Sequence, residues 1–314
     1  MSLNITVIAF YKFVELKNLQ SLQVIIKDLC TALEIKGTIL LGTEGINGTV
    51  SGVGDGIQKL VEFFSDQPEF HDLNYKVSYY DTYPFKRLKV RIKKEIVTLG
   101  VKGLNPAKQT GIYVDPNDWN KLISDPDTVT IDTRNKYETQ IGIFKSAVDP
   151  NIDCFREFPK FFAENYSHLN KDQKVAMYCT GGIRCEKSTA YLLKLGFKNV
   201  YHLQGGILNY LAKVPVDQSI WEGECFLFDN RIGVNHKIQK GSYSMCYGCR
   251  YPVSIEEQQS TKYKAGIHCP NCIDSIPEKT IKRATERQKQ INLIKQREEI
   301  KQREEIKQSE ENLH

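Results

Sequence analysis

Three strand-like runs, "TVTIDTR" from Thr128, "KVAMYCT" from Lys174 and "NVYHLQGG" from Asn199, recur with helical stretches between them, the last of which is "CEKSTAYLLKLGF". Strands separated by helices return to the sheet by crossover and therefore pair in parallel, which dictates an α/β domain. We place that domain at residues 120–220.

The front of the chain follows a different rule. "NITVIAFYK" reads as a strand, and Leu22, Ile25, Ile26, Leu29 and Leu33 then repeat at helical spacing. "KGTILLGTEGINGTVSG" is two β-rich runs around a Gly/Asn turn, Ile57, Leu60, Val61 and Phe64 mark a second amphipathic helix, and "NYKVSYYD" is again strand-like. The order βαββαβ predicts a ferredoxin-like α+β domain within residues 1–115. It ends on "PFKRLKVRIKKEIVTLG", where Lys86, Arg87, Lys89, Arg91, Lys93 and Lys94 are six basic residues with no acid among them. On a strand, Arg87, Lys89, Arg91 and Lys93 fall on one face and Leu88, Val90 and Ile92 on the other. Two readings stay open: an ordinary solvated face, or a stripe that holds a phosphate backbone.

A chain of 314 residues has room for two or three domains, and 40% hydrophobic with 26% charged residues is the composition of a globular protein. No apolar run approaches membrane-spanning length, and "MSLNITVIAFYKF" has neither a basic n-region nor a small-residue cleavage site. A cytoplasmic protein is the expectation, with no membrane partner. Nine cysteines, an odd count, argue for reduced thiols with metal or catalytic uses rather than a disulfide framework. The net charge of +5 permits an anionic partner without requiring one.

The sharpest local signal is "KVAMYCTGGIRCEKS". A buried strand ends at Tyr178 and a helix begins near Cys185, so residues 179–184 form a strand-to-helix turn that aims several N–H groups at one point. In such a bowl a thiol pKa falls from about 8.5 to roughly 3.5–7.5, which makes Cys179 a nucleophile at neutral pH. Gly181 and Gly182 permit the curvature. Five residues separate Cys185 from Cys179 where a redox pair has two, and Cys185 occupies the position at which a cysteine phosphatase needs arginine. It is expected to be a packing residue.

Over residues 120–220 the sequence resembles the rhodanese superfamily, on Ile131-Asp132-Thr133-Arg134, on the loop Cys179-Thr180-Gly181-Gly182-Ile183-Arg184, and on Leu203-Gln204-Gly205-Gly206-Ile207. The resemblance implies that Cys179 carries a persulfide cradled by the amides of Thr180, Gly181, Gly182 and Ile183, with Arg184, Asp132 and Arg134 supporting the site. Together with "GTEGINGTVSG" and the basic strand, the chain up to its tail resembles the rhodanese-like tRNA uridine hydroxylases. That resemblance implies oxygen-dependent conversion of the wobble uridine of tRNA to 5-hydroxyuridine, with molecular oxygen as co-substrate, an external electron donor and tRNA as partner. A rhodanese-type sulfurtransferase and a zinc-stabilised RNA-binding module are the alternatives. No flavin, haem or two-His-one-carboxylate signature explains oxygen activation.

Residues 221–280 hold Cys246-x2-Cys249 and Cys269-x2-Cys272, separated by nineteen residues. Two such knuckles can set four thiolates tetrahedrally around a structural zinc, with His268 as a substitute ligand. Cys30, Cys154 and Cys225 have no partner pattern and are expected to pack. Residues 281–314 contain KQREEI twice and no apolar stripe, which predicts a charged helix or a frayed tail.

Overall fold

The computed structural model describes residues 5–229 and 231–311, with the side chains of Lys295 and of residues 298–311 left aside. Residues 1–4, 230 and 312–314, which fall in the expected first domain, cysteine-rich segment and tail, lie outside the described residues. The chain forms two compact units that divide between Gly241 and Ser242.

The first unit opens with β1 (Ile5–Phe13), α1 (Leu19–Ala32), β2 (Lys36–Gly42), β3 (Gly45–Val53), α2 (Gly54–Ser65) and β4 (Tyr75–Tyr80), followed by β5 (Leu88–Ile92). The strand order is β4-β1-β3-β2-β5, a ferredoxin-like antiparallel sheet extended by β5, which pairs in parallel with β2. Alternation gives this sheet two faces. Ile8, Phe10, Ile39 and Val90 join Ile26, Cys30, Leu60 and Phe64 of the two helices in one core. The opposite face carries Tyr11 and, paired in register with Ala9, Lys76.

Next come β6 (Ile112–Val114), α3 (Pro116–Ile123), β7 (Thr128–Asp132), α4 (Lys136–Thr139), β8 (Gly142–Phe144), α5 (Phe158–Tyr166), β9 (Lys174–Tyr178), α6 (Ile183–Lys194), β10 (Val200–Leu203) and α7 (Gly206–Lys213), of which β6, β7, β9 and β10 form a second sheet. Its order is β6-β10-β9-β7 and every pairing is parallel, as the crossover pattern requires. β9 is apolar on both faces because both are covered. Ala176 and Tyr178 pack with Trp119 and Leu203, while Val175 and Met177 pack with Ile131, Phe162 and Leu192. β6 lies ahead of the expected start at residue 120, since a three-residue strand leaves little periodicity to read.

Residues 221–241, expected within the cysteine-rich segment, fold instead with the first unit. β11 (Trp221–Gly223) pairs with β8, β12 (Cys225–Phe226) with β13 (Gly233–Val234), and Trp221, Cys225, Leu227 and Val234 fill the core beside Phe144 and Tyr178. Their apolar side chains belong to that core.

The second unit holds β14 (Ser244–Met245), β15 (Pro252–Val253), α8 (Ile255–Gln258) and α9 (Glu278–Glu311), with Cys246, Val253, Cys269 and Cys272 at its centre. The charged tail is thus helical through residue 311. Among the described residues no helix is long and apolar enough to cross a membrane.

Candidate active site

Cys179 follows the last residue of β9, and the chain turns through Thr180, Gly181 and Gly182 into α6. Gly182 sits at φ 106°, in the left-handed region, and a Cβ there would meet the Tyr11 hydroxyl at 2.6 Å. The turn aims the Gly182 amide at the Cys179 sulfur, to which it donates at 3.0 Å. Cys179 is fully buried. Burial opposes its ionisation, yet the Cys185 thiol, the Arg184 guanidinium and the amides of Cys185 and Gly182 hold its thiol well below the ordinary value. Cys185 moves the other way: burial and then its hydrogen bond and charge contact with Cys179 push it well up, and its sulfur lies 3.7 Å from Thr133 Oγ1. The two shifts run in opposite directions, favouring charge on Cys179 and the proton on Cys185.

Arg184 reaches the sulfur through charge while its guanidinium is occupied elsewhere. Its Nη1 and Nη2 donate to Glu138 Oε2 and Oε1 at 2.6 and 2.7 Å, and Nη2 lies 3.3 Å from Thr180 Oγ1. Thr180 in turn donates to Glu138 Oε1 at 3.1 Å. Although Glu138 is completely buried, the guanidinium groups of Arg184 and Arg134 hold its carboxyl below the usual carboxylate range. Sequence reasoning missed Glu138. Its signal was present in "RNKYE", where Asn135 and Glu138 form the capping box of α4.

Asp132 and Arg134 stand one layer further from the sulfur. Arg134 Nη2 donates to Asp132 Oδ2 at 2.7 Å and to the Gly142 carbonyl at 2.5 Å, and Nη1 donates to the Glu138 carbonyl at 3.2 Å. The pair is fully buried, with the guanidinium 5.1 Å from the Trp221 ring centre. It braces the turn that carries Glu138, which holds Arg184. "LQGGI" closes the loop from the other side. The Ile207 and Leu208 amides donate to the Cys179 and Thr180 carbonyls at 3.0 and 3.2 Å, and a Cβ on Gly206 would lie 2.5 Å from the Cys179 oxygen.

The ferredoxin-like sheet contributes to the same site. Lys76 Nζ donates to the Gly181 carbonyl at 2.6 Å and also to the Gly205 carbonyl. Tyr11 donates to Glu186 Oε1 at 2.7 Å, and burial, the largest influence, raises the Glu186 carboxyl. Lys187, the next residue, bonds Glu44 at 2.8 Å and Glu95 at 2.6 Å. Neither Lys76 nor Tyr11 had a sequence signal, because both act through the docking of a sheet face.

Residues 115–213 match the family model of the rhodanese-like domain, and residues 5–96 match that of the UPF0176 acylphosphatase-like domain. The α/β half is a rhodanese-like domain. Among solved structures, the chain is similar to the rhodanese-like domain of an Anabaena sp. protein at 18% identity, over 35% of this chain and 78% of that one, with a TM-score of 0.29. It is also similar to a rhodanese-related protein of Thermoplasma volcanium at 23% identity, over 32% and 90%, with a TM-score of 0.26. A BLUF protein overlays at 15% identity over 40% and 90%, with a TM-score of 0.27. These overlays are partial, and the two family matches carry the assignment.

Outside the rhodanese-like domain, the sulfurs of Cys246, Cys249, Cys269 and Cys272 all lie within 4.8 Å of one another. Cys246 to Cys272, Cys249 to Cys269 and Cys269 to Cys272 are each 3.8 Å apart. Four sulfurs about 2.3 Å from one ion at tetrahedral angles stand about 3.8 Å from each other, so the set fits a structural zinc and leaves no open position. The His268 ring is turned to the Lys262 carbonyl at 2.9 Å and is no member of the set. Cys30 and Cys225 are buried as expected. Cys154 is exposed, its sulfur 3.5 Å from Glu157 Oε1, because it precedes a surface turn rather than a core face.

The basic stretch is only partly a strand. Lys89 and Arg91 lie on β5, while Lys86, Arg87, Lys93 and Lys94 are exposed in its flanks. Register through Leu40 and Asn47 puts Arg91 on the same sheet face as Tyr11 and Lys76, at the opposite edge. Four strand spacings, about 19 Å, separate that edge from β4, whose Lys76 reaches the Cys179 loop.

Proposed function

We propose that this protein is a tRNA-modifying enzyme that hydroxylates the wobble uridine to 5-hydroxyuridine, in the cytoplasm, with Cys179 as its sulfur centre. The observation that carries this reading is the pairing, in one chain, of a UPF0176 acylphosphatase-like domain with a rhodanese-like domain whose Cys179 loop it contacts through Lys76. Molecular oxygen supplies the inserted atom, and reduction of its other atom to water calls for an external two-electron donor.

The chain's own residues do the rest. The Gly182 amide, Cys185 and Arg184 hold Cys179 as a thiolate, and Glu138 with the Asp132–Arg134 pair fixes the Arg184 guanidinium. Full burial keeps water from the sulfur. A persulfide on Cys179 would carry the outer sulfur about 2 Å beyond the buried one. Lys86, Arg87, Lys89, Arg91, Lys93 and Lys94 supply a basic edge for the tRNA phosphates, and an unpaired anticodon base can be splayed out for chemistry. A second reading, a sulfurtransferase, is favoured by the amide-held thiolate alone.

Nucleoside mass spectrometry of tRNA from a deletion strain tests the proposal. The strain should lose 5-hydroxyuridine, and the wild-type gene should restore it where Cys179→Ser does not. Unchanged 5-hydroxyuridine sinks the hydroxylase. Persulfide turnover lost in Cys179→Ser with tRNA unaffected would put the sulfurtransferase first. RNA binding that persists while neither activity responds would leave an RNA-binding module.

A further inference from the structure

We infer that Lys76, a residue of the N-terminal domain, is a positioning residue for the Cys179 sulfur: its ammonium holds the Gly181 carbonyl so that the N–H of the same peptide group points at the sulfur. The inference rests on Cys179 being the sulfur centre and is independent of the substrate that the sulfur serves.

The geometry is that of one peptide unit. In a trans peptide the C=O and the following N–H point in opposite directions. Here Lys76 Nζ donates to the Gly181 oxygen at 2.6 Å on one side, and the Gly182 N–H donates to Cys179 Sγ at 3.0 Å on the other. A cation on the carbonyl polarises the amide and strengthens the bond made by its N–H. The positive charge thus reaches the thiolate through the peptide without occupying the sulfur, whose remaining lone pairs stay free for chemistry.

Lys76 also ties the loop to its clasp. It donates to the Gly205 carbonyl, and Gly205 is the residue before α7, whose Ile207 and Leu208 amides hold the Cys179 and Thr180 carbonyls. Two segments far apart in sequence, residues 179–182 and 205–208, are joined by one side chain that enters from a different domain. Burial lowers the Lys76 ammonium to about 8, and the groups that favour its charge are Cys179 first, then Cys225, Cys185 and Glu186, the last of these itself bonded by Tyr11. The thiolate and the ammonium therefore support each other across the Gly181–Gly182 peptide. The rhodanese-like domain obtains its sulfur environment in part from the domain in front of it.

The test is a pH titration of thiolate ultraviolet absorbance on the full chain, each protein measured against the same protein carrying Cys179→Ser so that only this sulfur is read. Lys76→Met should raise the Cys179 midpoint by about one unit or more, which below the midpoint is about a tenfold loss of thiolate. Lys76→Arg, which keeps the charge, should shift it less. An unchanged midpoint in folded Lys76→Met overturns the proposal. Should thermal unfolding show that Lys76→Met does not fold, Lys76→Gln keeps a donor without charge, and the same two outcomes decide. If Cys179→Ser removes no signal titrating below the ordinary thiol range from the wild type, the reading of Cys179 as an activated sulfur fails, whatever Lys76 does.

Discussion

Two groups of cysteines in this chain solve the same electrostatic problem differently. Cys179 is a single sulfur whose charge is balanced by fixed protein donors, among them the Gly182 amide at 3.0 Å and the buried Arg184. Cys246, Cys249, Cys269 and Cys272 crowd one another instead, with three sulfur pairs 3.8 Å apart, and although backbone amides such as that of Cys269 also point at them, four thiolates at such distances need a central cation. Amides and a guanidinium stabilise a thiolate while leaving it able to form a bond. A tetrahedral metal uses every sulfur and leaves none reactive. Sulfur chemistry therefore belongs to the loop after β9, and cohesion to the second unit.

Metal removal separates the two most strongly. Chelation, or Cys269→Ser, should unfold the segment around residues 246–276, since structural zinc sites of this kind contribute on the order of 10–16 kcal/mol. Hydrogen exchange should show that loss, while the Cys179 titration stays where it was. A Cys179 midpoint that moves with the metal would break the separation.

Glu138→Gln probes the other side of the comparison with a smaller effect. It leaves the buried Arg184 guanidinium without its carboxylate, a change that costs about 3–5 kcal/mol. Because the folded Glu138 carboxyl lies below its ordinary 4.5, its contribution is complete above that pH and is lost as pH falls through the lower folded value. Other lowered carboxyls such as Glu95 contribute in both proteins, so denaturant unfolding should show a steeper acid-side slope in the wild type than in Glu138→Gln. Identical slopes would mean that Arg184 is balanced by something other than Glu138.

What the sequence reveals of this site depends on how locally each part is encoded. Cys179, Gly182 and Arg184 are legible because strand, turn and helix are contiguous and the amide bowl is a property of that turn. Glu138 is half legible: the capping box marks a helix start, but that its carboxylate also holds Arg184, 46 residues away, is a fact of packing. Lys76 and Tyr11 are not legible at all. In "NYKVSYY" a lysine on a strand looks like any solvated position, and only the docking of the sheet face without helices buries it against Gly181. Residues 221–241 failed for a related reason, since two- and three-residue strands are defined by the core they complete. The parallel sheet and the ferredoxin-like order, by contrast, follow from periodicities long enough to read directly.

The smallest expected effect concerns the two edges of the ferredoxin-like sheet. Lys76 on β4 and Arg91 on β5 share a face, yet Lys76 is tied to loop carbonyls while Arg91 is exposed. Only the second kind of cation can exchange counterions with a phosphate backbone. If the β5 edge binds tRNA, changing Arg87, Lys89, Arg91 or Lys93 to Gln should weaken binding slightly and flatten its dependence on salt. The slope of log K against log salt should fall by about 0.7–0.9 for each phosphate that is no longer neutralised. The Cys179 titration should not respond, because about 19 Å of sheet lies between the edges. Equal tRNA affinity at every salt concentration, with all four changed together, would remove the strand from the RNA surface and return it to the plainer role of a solvated edge.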